Sequence, residues 1–371
     1  VWVPRKQQDP RRPNEIPETE RWYFLEEKYP KYGNLVPRDI ATREIFQVCL
    51  DGYGVGGGNM VYLDLGDITR QVGRAAVLKK LEGILEIYEK FVGTDPLDEP
   101  MKIFPAVHYS MGGLWTTFTK DEKTGGMKSG APNNLQTNIP GLYSMGEANF
   151  GYHGANRLGA NSLLSCIFDG LFGGPCIRNY INDAAPTAAA EVPASVYDAV
   201  VASEKAKVDR LVNAKGTENP YLLWQEMGRM MTENCTVVKY NDRLKQTLEA
   251  CEGWKQRYKN VRLSDTGMWT NQNLSFTRAL GDMIKDAETI IRASLMRDES
   301  RGAHYKPDFP ERDDSRFLKT SLARYDTATD SAVMEWGPVD VSIIPPRART
   351  YGKKDSSPKR DTEKKPALAG A

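Results

Sequence analysis

Hydrophobic residues recur at helical spacing in the second half of the chain. Between about 196 and 297 they are separated by three or four residues, and the clearest positions are Leu223, Met227, Met231, Leu244, Leu248, Cys251, Phe276, Leu280, Met283, Ile284, Ala287 and Ile291. Several amphipathic helices of this kind can bury their apolar stripes only against one another. We therefore predict a helical bundle over residues 183–297, with its Met and aromatic residues in the core.

The first hundred residues carry shorter, mixed patterns. RDIATREIFQVCL predicts a helix that begins near Pro37, and alternating Val61, Leu63 and Leu65 predict a strand. The stretch GYGVGGGN between them is a candidate phosphate-binding loop. Such a loop follows a strand and precedes a helix, whereas here the order is helix, glycines, strand, so the pattern disfavours a phosphate site.

Residues 105–182 are dense in glycine and short apolar runs. GLYSMGE predicts a short strand running into Glu147, and NSLLSCIFDGLF predicts a helix capped by Asn161 or Ser162. The first turn of that helix then points toward the same crevice as Glu147, where a helix N-terminus favours negative charge. We divide the chain into two N-terminal segments, 1–104 and 105–182, the helical bundle, 183–297, and a loop-rich domain with short strands, 298–351. Residues 182–195 are predicted to form a linker, and residues 352–371 a disordered basic tail.

Composition restricts the class of protein. The 371 residues include 50 Lys+Arg and 49 Asp+Glu, a formal net charge of +1, so no overall charge draws the protein to nucleic acid or an anionic bilayer. No apolar run approaches the roughly 18 to 20 residues that span a bilayer. The five cysteines include no Cys-x-x-Cys pair, which fits a reducing compartment and argues against a metal site or a disulfide framework. Because the sequence opens without Met inside an ordinary folded pattern, we expect a fragment.

Three polar residues stand out as candidates for chemistry. Arg157 lies among glycines, where its planar guanidinium could hold a carboxylate through two hydrogen bonds. His108 is followed closely by Gly112 and Gly113, which leave room for a flat ring. Arg38 lies at a predicted helix start, where its charge opposes the helix dipole. Spacing alone is equally compatible with a structural arginine at 157 and favours a structural role for a lone histidine.

These stretches together resemble the flavoprotein subunit of succinate dehydrogenase and fumarate reductase. The matching stretches are PRDIATREIF, VYLDL, DPLDEPMKIFPAVHYSMGG, IPGLYSMGEANFGYHGANRLGANSLL, ESRGAHYKPDFPERDD and PPRARTY. They resemble the C-terminal part of the family, whose nucleotide-binding half would precede residue 1. The resemblance implies a multidomain α+β and α/β chain with a partial FAD-binding domain of the glutathione-reductase type, part of a capping domain, a helical bundle and a small C-terminal domain.

The resemblance also implies the site. His108 and Arg157 would bind the dicarboxylate, and Arg38 would be the catalytic proton shuttle. The positions implied to contact FAD are Glu147, Ser162 and Leu163. The covalent attachment site of FAD is expected in the part of the family that precedes residue 1.

The implied activity is oxidation of succinate to fumarate, or the reverse, by hydride transfer to FAD in a succinate:quinone oxidoreductase, with the fragment inactive alone. The implied partners are an iron–sulfur subunit and a membrane cytochrome b subunit, at the cytoplasmic face of a bacterial inner membrane. Two alternatives stay open. L-aspartate oxidase shares HGANRL-type and SRG-x-HY stretches, although SLARYDTATDSAV and PPRARTY resemble the dehydrogenase. The other is a truncated flavoprotein that only docks on partner subunits.

Overall fold

The computed structural model describes residues 1–184 and 192–347. The predicted tail, 352–371, and half of the predicted linker, 182–195, lie outside these ranges. The domain boundaries proposed above therefore stay predictions.

Two small antiparallel strand pairs organise the N-terminal part. β1 (Val3–Pro4) pairs with β2 (Arg21–Trp22), and β3 (Val61–Leu63) pairs with β4 (Met101–Ile103). A bridge between Trp2 and Tyr62 joins the two pairs, and both of these aromatic residues are buried. The pairs therefore share one core, which the following helices extend.

Two helices pack against these strands. They are α1 (Phe24–Lys28) and α2 (Arg38–Val48). The predicted helix near Pro37 is confirmed, because Pro37 is the N-cap of α2 and its fixed φ suits a helix start. The predicted strand is shorter than expected, since the Asp64 carboxylate accepts a hydrogen bond from the Gly66 amide at 2.7 Å and turns the chain before Leu65 can join it.

Close backbone approach explains the glycines between α2 and β3. A Cβ atom on Gly54 would lie 1.7 Å from the Gly58 carbonyl oxygen. The loop therefore folds tightly on itself, and its glycines are needed for closure. The helix, glycine, strand order is confirmed, and it is the order that disfavours a phosphate-binding loop.

A long helix was missed in the sequence patterns. After α3 (Gly66–Val72), α4 (Arg74–Val92) runs for 19 residues and ends at Gly93, whose φ of 78° is left-handed. Its inward stripe consists of Val77, Leu81, Leu85 and Tyr88, at steps of four and three residues. That spacing was available in the sequence.

GLYSMGE does not form the predicted strand. Gly141 and Gly146 have φ angles of 82° and 66°, and these left-handed conformations interrupt an extended chain. The β pairing of this stretch is limited to an isolated bridge between Gln136 and Tyr143, and a 3₁₀ turn follows over Gly146–Ala148. The predicted strand is therefore wrong.

The next helix, α5 (Asn161–Asn179), begins where it was predicted but is not capped by Asn161 or Ser162. Its N-cap is Ala160, with a left-handed φ of 66° and no side-chain hydrogen bond to the first turn. That cap prediction is wrong because both side chains already lie inside the helix.

Four helices form the predicted bundle. They are α6 (Ala194–Val212), α7 (Pro220–Met231), α8 (Asn241–Tyr258) and α9 (Gln272–Leu295). The main buried cluster comprises Leu211, Leu223, Met227, Cys251, Trp254, Val261, Leu263, Leu280, Ile284 and Ala287. The prediction that the Met and aromatic residues are core is wrong for several of them, including Trp224, Met268 and Trp269, which are 41%, 70% and 88% exposed. No helix in the described ranges has the length and apolarity needed to cross a membrane.

A hairpin closes the described chain. After the short helix α10 (Asp314–Phe317), β5 (Lys319–Asp326) pairs antiparallel with β6 (Ser331–Pro338). Its turn packs on the bundle, because the Lys255 ammonium donates to the Asp330 carbonyl at 2.7 Å. The strands are eight residues each and longer than the short ones expected.

Candidate active site

The segment 108–111 contacts the loop that precedes α5. The backbone N–H of Arg157 donates to the Met111 sulfur at 3.0 Å, and the Arg157 guanidinium carbon lies 5.7 Å from the centre of the Tyr109 ring. His108 immediately precedes Tyr109 and is exposed. The structure thus brings together the two segments that carry the predicted dicarboxylate ligands.

Tyr109 is itself fixed to the start of α5. Its hydroxyl lies 3.1 Å from Ser165 Oγ, which donates to the Ser162 carbonyl at 2.8 Å. His153 Nε2 lies 3.2 Å from the same Ser165 oxygen, and its ring meets the Tyr109 ring edge-on. Burial lowers the pKa of His153 and the charge of Arg157 lowers it further, which favours a neutral imidazole. Tyr109, whose ring lies under the Arg157 guanidinium, is therefore fixed to α5.

Glu147 connects the 3₁₀ turn to the same place. Its exposed carboxylate accepts a hydrogen bond from the Ser110 backbone N–H at 2.8 Å. Ser162 is buried in the first turn of α5, whereas the Leu163 side chain beside it is 74% exposed. Two of the predicted FAD contacts thus lie in the first turn of α5, and the third lies in the 3₁₀ turn that packs against this helix.

The start of α5 has features that suit an electron-rich, flat group. No side chain caps its N-terminus, so the amides of its first turn and the helix dipole are available to negative charge. Leu163 and Leu164 expose apolar surface next to those amides. A group that is apolar over most of its area and electron-rich at one edge, as a flavin is, fits this combination.

Asp169 organises the turn, and sequence reasoning missed it. Its carboxylate is fully buried and accepts hydrogen bonds from the Gly146 amide at 2.7 Å, from Asn149 Nδ2 at 3.4 Å and from the Tyr152 hydroxyl. Burial and this carboxylate together raise the pKa of Tyr152 far above its usual value. The available signal was an aspartate inside the apolar run NSLLSCIFDGLF, because a buried carboxylate requires hydrogen-bond donors.

Arg38 lies on α2, a different element from the other predicted residues. It occupies the first position of α2 and is exposed, and among the described residues no hydrogen bond or ion pair joins it to His108 or Arg157. A contact between α2 and the segment 299–305 is made by Arg43, whose guanidinium donates a hydrogen bond to the Gly302 carbonyl at 2.7 Å.

The segment 299–305 links α2 to the loop of Arg157. The Ala303 amide donates to the Ala155 carbonyl at 2.8 Å, and a Cβ on Gly302 would lie 2.3 Å from that carbonyl oxygen. Gly302 also has a left-handed φ of 58°. Glycine at this position is therefore required for both conformation and space.

A buried carboxylate holds that segment. Glu299 is fully buried and accepts hydrogen bonds from Arg297 Nη1 at 2.6 Å, from Arg301 Nε at 2.8 Å and from the Asp313 amide at 2.9 Å. Burial opposes its charge, but the hydrogen bonds from Arg301 and its neighbours keep its pKa below the ordinary value. The loop beside Arg157 therefore has a rigid support.

Comparison with known proteins identifies the family. A model of the fumarate reductase flavoprotein C-terminal domain matches residues 224–351, and a model of an FAD-binding domain matches residues 11–163. The succinate dehydrogenase flavoprotein subunit of Bacillus subtilis is 48% identical over 334 residues, which are 90% of this chain and 54% of that protein. The chain belongs to the succinate dehydrogenase and fumarate reductase flavoprotein family. The resemblance predicted from the sequence is confirmed, and the family's cofactor is FAD.

Solved structures of the family agree. A quinol fumarate reductase chain of Escherichia coli superposes with a TM-score of 0.75 at 30% identity, covering 95% of this chain and 57% of that chain. The fumarate reductase flavoprotein subunit of Escherichia coli is 33% identical over 333 residues, 88% of this chain and 51% of that protein. The chain thus spans about half the length of the family members it matches. The roles of the individual site residues stay predictions.

Proposed function

We propose that this chain carries the dicarboxylate-binding part of a flavoprotein subunit that oxidises succinate to fumarate, or catalyses the reverse reaction, with FAD. The observation that supports this most is the position of the Arg157 guanidinium over the ring of Tyr109, which follows His108 in the chain and is hydrogen-bonded to Ser165 of α5. A cation, an imidazole and an uncapped helix N-terminus then border one surface. Family membership supports the same reaction class.

In this proposal Arg157 and His108 divide the binding of the substrate between them. The Arg157 guanidinium holds one carboxylate through two hydrogen bonds, and His108 donates to the other. Because Tyr109 and Met111 fix Arg157 from below, the substrate is held in one orientation. Such positioning contributes about 7 to 11 kcal/mol to barrier lowering in favourable systems.

Glu147, Ser162 and Leu163 are the residues we propose to hold FAD. When bound, FAD supplies the acceptor for a hydride from one methylene carbon of succinate. The first-turn amides of α5 stabilise negative charge on the bound group, and the exposed Leu163 side chain covers apolar area. The apolar cover also excludes water from the reacting carbons.

Arg38 is proposed to accept the proton from the second methylene carbon. A guanidinium is already protonated at neutral pH, so Arg38 accepts the proton of the methylene carbon only as it passes one of its own protons to a carboxylate. This requires a relay in which a carboxylate exchanges protons with Arg38. The exposed position of Arg38 at the start of α2 leaves its guanidinium accessible for such an exchange.

We further propose an iron–sulfur subunit and a membrane cytochrome b subunit as partners, which places the chain on the cytoplasmic face of a bacterial inner membrane. Support comes from the family alone, since one matched structure is a quinol–fumarate reductase solved with menaquinol molecules.

The test uses the holoenzyme with succinate and with L-aspartate as alternative electron donors. We expect turnover with succinate, and we expect Arg38→Gln to abolish it while FAD stays bound. Arg70→Gln, at an exposed arginine of α3, is the matched control and should keep full activity. Turnover with L-aspartate but not with succinate would favour L-aspartate oxidase. Absence of turnover with either donor would favour a flavoprotein that only docks on partner subunits. An active Arg38→Gln variant would remove Arg38 from the mechanism.

A further inference from the structure

A second concave site lies in the helical bundle, formed by residues that take no part in the site above. The groove has a volume of about 570 Å³ and lies between α6, α8, α9 and the turn that joins β5 to β6. This volume is within the roughly 300 to 1,000 Å³ of small-molecule sites. None of the residues predicted to bind substrate or FAD lines it.

The floor of the groove is rigid. Leu211 and Ile284 contribute buried apolar surface from the main core of the bundle. The Tyr258 hydroxyl donates to the Thr277 carbonyl at 3.0 Å, and a Cβ on Gly281 would lie 2.7 Å from that hydroxyl. Glycine at 281 therefore lets Tyr258 pack closely against α9, and the groove keeps its shape without a ligand.

The walls of the groove are strongly basic. Its cationic side chains are Lys207, Arg210, Lys255, Lys259, Arg278 and Lys285, and its anionic side chains are Glu204, Asp282 and Asp330. The buried Glu288 neutralises Lys255 through an ion pair of 2.7 Å. The remaining five cations face three carboxylates, an excess of two positive charges in one groove.

In the described part of the chain, three of the six cations have no ion pair, and two others share one carboxylate. Glu204 serves both Lys207 and Arg278, at 2.6 Å and 3.0 Å, and the hydrogen bond from Lys207 holds the pKa of Glu204 below its ordinary value. Within residues 1–184 and 192–347, no carboxylate lies within 4.0 Å of a side-chain nitrogen of Arg210 or Lys259. Two cations from different helices thus face the groove without an ion pair.

Lys285 adds a third such cation from α9. Its ammonium lies 4.6 Å from the centre of the Tyr325 ring, and in the described part of the chain it has no ion pair. A ring face is a weak partner for an ammonium at an exposed site, at about 0.5 to 1 kcal/mol. The ammonium also makes a hydrogen bond with the neutral Tyr325 side chain, so no carboxylate of the described residues neutralises its charge and it remains available to an anion.

We propose that this groove binds a small anion that carries two or more phosphate groups. The unpaired cations come from α6, from α9 and from the end of α8, so an anion with several charged groups satisfies more of them than a single phosphate does. Each phosphate offers several acceptor oxygens and more charge than a carboxylate, which suits the planar fork of arginine and the point charge of lysine. The groove is independent of the proposed oxidoreductase site.

The test is calorimetric titration of the purified chain with sodium triphosphate, at low ionic strength and without divalent cations. We expect saturable binding, and about 10-fold weaker binding in each of Arg210→Gln and Lys259→Gln, since a hydrogen bond to a charged group contributes about 1.5 to 3 kcal/mol. Lys245→Gln removes the same charge from an exposed position of α8 outside the groove and should leave the affinity unchanged. Added NaCl should weaken binding through screening.

Two further titrations identify the source of the phosphate groups. Tighter binding of ATP than of triphosphate assigns the groove to a nucleotide, and equal binding assigns it to inorganic polyphosphate. Citrate binding as tight as triphosphate binding would overturn the phosphate assignment. Absence of saturable binding, or equal weakening by Lys245→Gln and the two groove variants, would overturn the site itself. Far-UV circular dichroism of each variant verifies that the helices are intact.

Discussion

Asp169→Asn tests whether a buried carboxylate holds the turn of the candidate site. The native carboxylate accepts three hydrogen bonds, from the Gly146 amide, Asn149 Nδ2 and the Tyr152 hydroxyl. Asparagine keeps the shape but has one acceptor oxygen, and its amide nitrogen faces donors. Loss of one hydrogen bond to a charged group costs about 1.5 to 3 kcal/mol, so we expect the free energy of unfolding to fall by about 2 to 3 kcal/mol.

The assay is urea unfolding of the full chain followed by far-UV circular dichroism, with a double-mutant cycle against Tyr152→Phe. We expect the two substitutions to be coupled by about 1 kcal/mol or more, because Asp169 and Tyr152 share a hydrogen bond. Asp209→Asn, at an exposed position of α6, is the control and should change stability by less than about 0.5 kcal/mol. A variant Asp169→Asn as stable as the wild type, or additive with Tyr152→Phe, would refute the role given to this carboxylate.

Two further predictions concern the segment beside the site. Gly302→Ala should destabilise the chain by about 2 kcal/mol or more, because residue 302 has a left-handed φ and its Cβ would lie 2.3 Å from the Ala155 carbonyl oxygen. The control is Gly170→Ala, at a position in α5 with open space around it, which should be neutral or stabilising. Equal effects of the two substitutions on urea unfolding would contradict the prediction. Burial, and then the charge of Lys239, lower the pKa of His304 from 6.5 to about 3, so the unfolded chain takes up its proton first as the pH falls. The contribution of His304 to the free energy of unfolding is complete above pH 6.5 and is lost toward pH 3, with about 2 kcal/mol lost at about pH 5. The His304→Gln variant should not show this fall in stability. A fall of the same size in that variant would show that His304 is not the group responsible.

The sequence patterns predicted secondary structure best where the residues of a single helix or strand determine it. The start of α2 follows from Pro37, and the helices of the bundle follow from apolar residues at steps of three and four. The same reasoning should have found α4, whose stripe from Val77 to Tyr88 has that spacing. Local periodicity determines these elements because each helix buries a single face.

The patterns failed where contacts between distant segments decide the structure. Gly141 and Gly146 adopt left-handed angles that convert an apparent strand into a turn. Pro140 marks a turn at Gly141, but nothing in the neighbours of Gly146 reveals its angle. The hydrogen bond from Arg43 to Gly302 joins residues 259 positions apart, so no local pattern predicts it. The roles of the candidate residues came from family resemblance, and the structure adds contacts around some of them.

The support for Arg157 illustrates this difference. Glycine neighbours and a guanidinium suggested a carboxylate site, but spacing alone fitted a structural arginine equally well. The structure shows Tyr109 beneath the guanidinium and Ser165 beneath the tyrosine. Those two contacts support a binding role, since they fix the group without using a carboxylate of the protein.

The central proposal is that Arg157 holds a dicarboxylate. Its most direct test is equilibrium binding of malonate, a dicarboxylate without the two adjacent methylene groups that would be oxidised, to the holoenzyme and to its Arg157→Gln variant. We predict about 10- to 100-fold weaker binding in the variant, from loss of a charged hydrogen-bonded contact, and no change in Arg178→Gln, an exposed arginine of α5. Wild-type affinity for malonate in Arg157→Gln would contradict the proposal.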